Sequence, residues 1–305
     1  MARIVVLGIF VADATYRAQR LPRMGETVLG DAFSLGPGGK GSNQAVAAAR
    51  AGGDVAMLTR LGRDPFADMA LDVWAQAGVA FAGTRHDIPT GSAFIFVDSA
   101  SGDNAIIVAP GVAATIEPSD LDGWADEIAK AAVFVTQLEQ PQRAAQRGLE
   151  IARNAGVRTI LNPAPGADLP DAMLALADIV TPNETEAEAL TGIAVTGIDS
   201  AERAARRLIE RGAGAVIVTL GANGALCHAD GTTTHIVALS AGPVVETTGA
   251  GDAFNGGLAT ALSEGLPLDR AVRFANATAA LSVTQAGAAA SMPPRARIDA
   301  LLARG

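Results

Sequence analysis

Residues 246–257 read ETTGAGDAFNGG, and the reading of this stretch decides what the rest of the chain must be. A Gly-Ala-Gly turn (249–251) leads into Asp252. Phe254, Leu258, Ala261 and Leu262 then recur on one helical face until Gly265 and Pro267 end the helix. An aspartate at a helix start can be an ordinary cap. It can also be a base beside an anion site, because the free N–H groups around Gly249, Ala250 and Gly251 and the helix dipole both favour negative charge there. A carboxylate so placed can take a proton from an incoming hydroxyl while the N–H groups stabilise charge on a phosphoryl group, which is what phosphoryl transfer requires.

Outward from that stretch, short β-branched runs alternate with helical patterns almost throughout. Strands are expected over 3–9, 54–61, 132–138, 158–163, 178–183 and 215–220, each a continuous apolar run suited to burial on both faces. Helical patterns such as 42–52, 64–78 and 200–212 lie between them. Repeated βα units imply an α/β fold, a parallel sheet with right-handed crossovers and helices on both faces. Two stretches break the pattern. Residues 13–37 carry TYRA and ETVLGDAFSLG around Pro22 and Gly25; residues 91–109 carry GSAFIFVDS, the turn SGDN and AIIVA. Both have the partial alternation of hairpins in an antiparallel sheet with one exposed face, and together they read as a small β lid inserted into a single domain, 1–305.

Composition narrows the partners. The net charge is −9 and no basic run is interleaved with aromatics, which argues against nucleic acid. Aromatics are only 4% of residues, so alanine and small aliphatics must fill the core between closely packed layers. Cys227 is the single cysteine, so no intrachain disulfide can form and a reducing, cytoplasmic setting is expected. The apolar opening from Ile4 to Ala12 lacks a charged leader and runs on into Asp13 and Tyr16-Arg17, as a buried first strand does. No apolar run is long enough to span a bilayer.

Three further motifs admit a plain and a functional reading. In LGPGGKGSNQ (35–44) Lys40 is followed by Gly41, so the stretch fails the Walker A pattern, and Gly8 alone cannot make a dinucleotide fingerprint. Gly38, Gly39 and Gly41 allow close approach of backbone to a ligand, with Ser42 or Asn43 opening a helix. In TPNETEAEALTG (181–192), Asn183 and Glu186 make either a capping box or a pair beside a metal-bound phosphate. VTLGANGAL (218–226) reads as a strand ending at Thr219 and turning through Gly221 and Gly224 into a second strand, a hairpin on which a nucleotide could rest. His86, His228 and His235 lack metal-ligand spacing and read as surface histidines.

GGKGSNQAVAAARAG (38–52) and TTGAGDAFNGG (247–257), with LNPAP (161–165) and TPNETEAE (181–188) between them, resemble in order and spacing the PfkB-type carbohydrate kinases, and among these the ribokinases, over essentially the whole length. The resemblance implies a ribokinase-like three-layer α/β fold with a β lid that often pairs with a second subunit, hence a homodimer. It implies transfer of the γ-phosphoryl group of ATP to a sugar, with ribose the first substrate, Mg²⁺ accompanying ATP and K⁺ as activator. Asp252 then matches the catalytic base, and Gly249, Ala250 and Gly251 the anion hole. Asp13, Gly39, Lys40, Asn43 and Glu139 match sugar-side positions. Asn183, Thr219, Gly221, Gly224, Gly251 and Asn276 match the ATP side, and Glu186 the Mg²⁺ position. Glu246, Thr248, Ser282, Gln285, Gly287 and Ser291 match the K⁺ loop. Two positions depart: Glu246 stands where ribokinases usually carry an aspartate, and Val11 where they usually carry an asparagine on the sugar. Val11 therefore brings 2-deoxyribose forward as an alternative substrate. A non-catalytic sugar sensor would have no need of Asp252, and an NAD-dependent dehydrogenase would need the glycine fingerprint that is missing.

Overall fold

The structure, a computed structural model, describes residues 2–304. Its centre is a nine-stranded sheet in the order Thr232–Ile236, Ala225–Ala229, Ala215–Thr219, Ile179–Val180, Arg158–Leu161, Val133–Thr136, Arg3–Leu7, Asp54–Leu58 and Val79–Phe81. From Ala215–Thr219 to Val79–Phe81 every neighbouring pair is parallel, and the two pairs at the other edge, joined by successive hairpins, are antiparallel. All six anticipated strands are present, several shorter than their apolar runs. The run 54–61 divides into Asp54–Leu58 and Arg60–Leu61, and the latter pairs with Thr84–Arg85 in a separate two-stranded sheet. The edge strands Val79–Phe81 and Thr232–Ile236 went unanticipated: one is three residues long, and the other, TTTHI, has no apolar alternation.

The first strand shows why such runs are continuous. Ile4 and Val6 point into one buried cluster, with the helices Lys40–Arg50, Pro65–Ala77, Ala250–Ser263 and Leu268–Ser282. Val5 and Leu7 point into the other, with Gln142–Asn154 and Ile198–Glu210. Successive side chains of a strand face opposite ways, so both faces must be apolar when helices cover both.

The helix after the Gly-Ala-Gly turn differs from its expected amphipathic form. Residues 252–262 are buried all round, because the helix lies between Lys40–Arg50 and Leu268–Ser282. Gly256 and Gly257 permit this: a Cβ on Gly256 would sit 2.5 Å from the Cβ of Ala47, and one on Gly257 would sit 2.6 Å from the Thr278 hydroxyl.

The lid is a four-stranded sheet in the order Ala32–Gly38, Val11–Ala18, Thr90–Asp98, Asn104–Gly111. The two hairpins are antiparallel as expected, but the strands that join them pair in parallel, from Val11 opposite Gly91 to Ala18 opposite Asp98. Each hairpin leaves the α/β body by its first strand, so those two strands run the same way. Ala93 and Phe96 are buried, while Phe33, Ile106, Ile107 and Val108 are exposed. Among the described residues no helix is long and apolar enough to cross a membrane.

Candidate active site

The helix Ala250–Ser263 begins from Gly249, whose φ of 78° is the left-handed conformation that glycine adopts without strain. A Cβ there would also press on Ala288 at 3.1 Å. The turn modifies the expected set of free donors. The Ala250 N–H donates to the Thr247 carbonyl at 3.1 Å, whereas those of Gly249, Gly251 and Asp252 have no protein acceptor among the described residues. Three backbone donors are therefore left without a protein acceptor, among the described residues, at a helix N-terminus, where partial positive charge gathers.

Asp252 does not cap this helix, and its carboxylate is buried beneath the turn. Oδ2 accepts from the Asn43 side chain and Oδ1 from the Gln44 side chain, each at 3.0 Å. Burial raises its pKa, opposed by the charge of Lys40 and by the Asn43 and Gln44 hydrogen bonds. A carboxylate held ionisable by neutral donors in a buried place is suited to accept a proton.

Asn43 and Gln44 reach Asp252 because their helix starts earlier than expected. It runs from Lys40 to Arg50, with Gly39 as a cap at φ 88° that makes no side-chain hydrogen bond. Ser42 and Asn43 are thus inside the helix, not at its cap. Ser42 accepts from the indole N–H of Trp74 at 2.9 Å, and Asn43 Oδ1 is buried without a hydrogen-bond partner among the described residues. The Lys40 backbone N–H donates to Glu139 Oε2 at 2.7 Å. Asp13 lies on the lid strand against Gly38, where a Cβ would come 2.2 Å from Oδ2. Burial pushes Asp13 up to about 6 and Glu139 up to about 7. Val11, buried in the same strand, lies against Gly91 and opposite Gly38. The positions that the resemblance gives to the sugar therefore neighbour one another where the lid strand meets the start of the Lys40 helix.

On the far side of Gly251 lies a cavity of about 470 Å³, lined by Thr219, Gly221, Gly224, Gly251, Asn276 and small apolar residues including Val244. The 218–226 stretch is the expected hairpin, with a single 3₁₀ turn at Gly221–Asn223. Asn183 adjoins it through a backbone bridge to Thr219 but does not line the cavity. The Asn276 side chain donates to the Ile236 carbonyl at 3.1 Å and so holds the end of the last strand.

Asn183 and Glu186 form the capping box in both directions, at 2.8 and 2.9 Å. Glu186 is nevertheless buried, its pKa raised by that burial, and it feels the charges of Lys40 and Asp252. Among the described residues no three His, Cys, Asp or Glu gather as a metal cage. A magnesium ion is commonly held by one or two carboxylates plus substrate phosphates, and Glu186 fits that pattern. Near the turn, Glu246 Oε2 accepts from the Gly287 N–H at 2.9 Å, and the Val245 and Glu246 N–H groups donate to the Val283 carbonyl. The Ser282 and Ser291 hydroxyls donate to the carbonyls of Ala279 and Ala288, which leaves their oxygen lone pairs unused.

The histidines differ from the surface expectation in one case. His228 is buried, with Nδ1 2.7 Å from the Thr233 hydroxyl, because the strand Thr232–Ile236 covers it. Sequence reasoning missed Gln44, Gln137, Thr181 and Asn255 as parts of the site. The available signal was a glutamine directly after Asn43, at the head of the alanine and valine run 45–49.

The model of the pfkB family of carbohydrate kinases matches residues 1–295. The chain belongs to the PfkB family of carbohydrate kinases. Among curated relatives it is similar to a ribokinase of Haemophilus influenzae, 39% identical over 96% of this chain and 95% of that one. It is also similar to a deoxyribokinase of Salmonella typhi, 36% identical over 95% of each. Among solved structures, Arabidopsis thaliana ribokinase complexed with ribose and ATP superposes with a TM-score of 0.94 at 31% identity, covering 99% of this chain and 98% of that one. This PfkB kinase is accordingly a sugar phosphotransferase with the ribokinase-like fold.

Proposed function

We propose that this PfkB kinase transfers the γ-phosphoryl group of ATP to the 5-hydroxyl of D-ribose, working as one catalytic unit whose lid segments, about 13–37 and 91–109, cover the sugar. The observation that carries the reading is the buried Asp252 carboxylate, hydrogen-bonded by two side-chain amides at a helix start where the Gly249 and Gly251 N–H groups have no protein acceptor among the described residues. In this reading the sugar lies among Asp13, Gly39, Asn43 and Glu139, with Lys40 beside them. Asp252 takes the hydroxyl proton as the oxygen attacks, and the N–H groups and Lys40 offset the charge on the phosphoryl oxygens. ATP occupies the 470 Å³ cavity with its adenine toward Asn276 and its phosphates toward Asn183 and Gly251. Glu186 would hold Mg²⁺ beside the phosphates, where the ion would neutralise phosphate charge when bound.

A coupled ADP-release assay across pentoses, deoxypentoses and ketohexoses tests the reading; no turnover above background with ribose or 2-deoxyribose would reject it. A second reading, 2-deoxyribose as the preferred sugar, is favoured by Val11, which offers methyl groups where an asparagine could hydrogen-bond a hydroxyl. Likeness to a deoxyribokinase supports it equally.

K⁺ activation is proposed at Glu246, Thr248, Ser282, Gln285, Gly287 and Ser291, whose carboxylate, carbonyl and hydroxyl oxygens suit a hard cation. Equal rates in K⁺, Na⁺ and a bulky organic cation would remove that site. The exposed apolar side chains of the lid, Phe33 on one edge strand and Ile106, Ile107 and Val108 on the other, support a homodimer through the lid. Light scattering that reads one chain at assay concentration would exclude it. A cytoplasmic location accords with Cys227, a buried free thiol whose pKa burial pushes up to about 11.

A further inference from the structure

We propose that Gln44 is a positioning residue that aims the Asp252 carboxylate, and that a chain of buried amides ties this carboxylate to the Gly251 carbonyl. The proposal rests on the reading of Asp252 as the base. One Gln44 N–H donates to Asp252 Oδ1 and the other to Asn162 Oδ1, each at 3.0 Å. Gln44 Oε1 accepts from Gln137 Nε2 at 2.6 Å. Both donors and the acceptor are thus engaged, so the amide cannot turn over without setting its oxygen against the carboxylate. The chain continues from Asn162 Nδ2 to the Thr181 carbonyl at 3.0 Å, and from the Thr181 hydroxyl to Asn255 Oδ1 at 2.7 Å. Asn255 Nδ2 closes it on the Gly251 carbonyl at 2.9 Å. Every side chain along this route is buried.

The route joins four elements: the helix that carries Gln44, the segments after the strands Arg158–Leu161 and Ile179–Val180, and the helix that carries Asp252. It therefore fixes the base relative to the turn whose N–H groups face the phosphoryl site. The choice of amides has a chemical reason. A cation in the place of Gln44 would stabilise the carboxylate strongly and weaken it as a base, whereas a neutral donor orients it and favours its ionised form only moderately. The charged groups acting on or facing Asp252 are Lys40, Glu139 and Glu186. Gln44 adds direction to their field without adding charge.

The test is Gln44→Met in the full chain, with kcat measured against pH at saturating sugar and ATP. Loss of the donor disfavours the ionised base, so the acid limb moves to higher pH. A displacement of one pH unit lowers kcat about tenfold below the limb, with recovery toward alkaline pH. KM for the sugar should change little, because Gln44 does not face the sugar cleft. Gln137→Met, which frees the Gln44 amide to turn, should move the limb the same way by less. If Gln44→Met does not fold, Gln137→Met decides by the same criterion. Unmoved limbs with only a lower melting temperature would overturn the proposal and leave Gln44 a packing residue. Asp252→Asn in parallel separates the two ideas: an active Asp252→Asn enzyme rejects the base itself, while an inactive one beside an unmoved Gln44→Met limb rejects only the positioning role.

Discussion

The two sides of the site are built on opposite principles. On one side, half-buried Asp13 and Glu139 and fully buried Asp252 lie near enough to feel one another's charge, and burial raises the pKa of each. Across Gly251, the 470 Å³ cavity is formed largely by glycine turns and small apolar side chains, and its one amide, Asn276, is occupied in holding the 236–237 segment. One side is built of carboxylates and amides, the other of glycine turns and small apolar side chains. The contrast teaches where a single atom matters: on the sugar side, changes of charge should dominate, while across the turn only groups at the junction should carry such weight.

The largest expected effect follows from Asp252→Asn, which preserves shape and removes the base. A positioned base contributes about 10²–10⁴-fold, so kcat should fall at least that far while sugar binding, followed by calorimetry, persists. Wild-type kcat in this variant would reduce Asp252 to a structural residue.

A pH test of stability sharpens the same contrast. Asp13 and Glu139 have folded pKa values near 6 and 7, above their ordinary values of 3.8 and 4.5. The folded state therefore holds more protons than the unfolded one across this interval, and stability is lost as pH rises from about 4 to about 7. The unliganded protein should melt at a higher temperature at pH 5 than at pH 8, and Glu139→Gln should narrow the gap. An equal gap in that variant would remove Glu139 from the account.

At the junction of the two sides, Glu186→Gln keeps a side chain that can serve a capping box. We expect the fold to be retained and the Mg²⁺ concentration for half-maximal rate to rise by about 10-fold or more, the range for loss of a group that supports a metal site through its outer shell. An unchanged Mg²⁺ dependence would leave capping as the whole role.

The smallest effect concerns Val11. An apolar pocket rejects an added hydroxyl by only ~10²-fold, so both sugars can be substrates. Val11→Asn should raise the ribose to 2-deoxyribose ratio of kcat/KM, measured with both sugars and both enzymes. A flat or falling ratio would show that another position sets the choice.

Much of this molecule was legible in the sequence where physics is local. Continuous apolar runs marked the parallel strands because both faces of that sheet are covered, and SGDN and Gly221-Gly224 marked turns through their own backbone preferences. Asn183 and Glu186 were legible as a capping box because a box closes within four residues. The strand Thr232–Ile236 was not, since its pairing with Ala225–Ala229, not its own pattern, makes it a strand. The parallel junction of the lid and the early start of the Lys40 helix were hidden for the same reason.

By itself, then, the sequence determined the α/β class, the lid segments, the turn before Asp252 and the family whose motifs those residues match. Tertiary structure alone decided which side chains meet. It set Gln44 and Asn43 on Asp252 across more than two hundred residues, buried His228 under a strand, and gave the Ala250 N–H to Thr247. Such contacts depend on how distant elements pack, and a hydrogen bond between residues far apart in the chain leaves no periodicity in either one's neighbours.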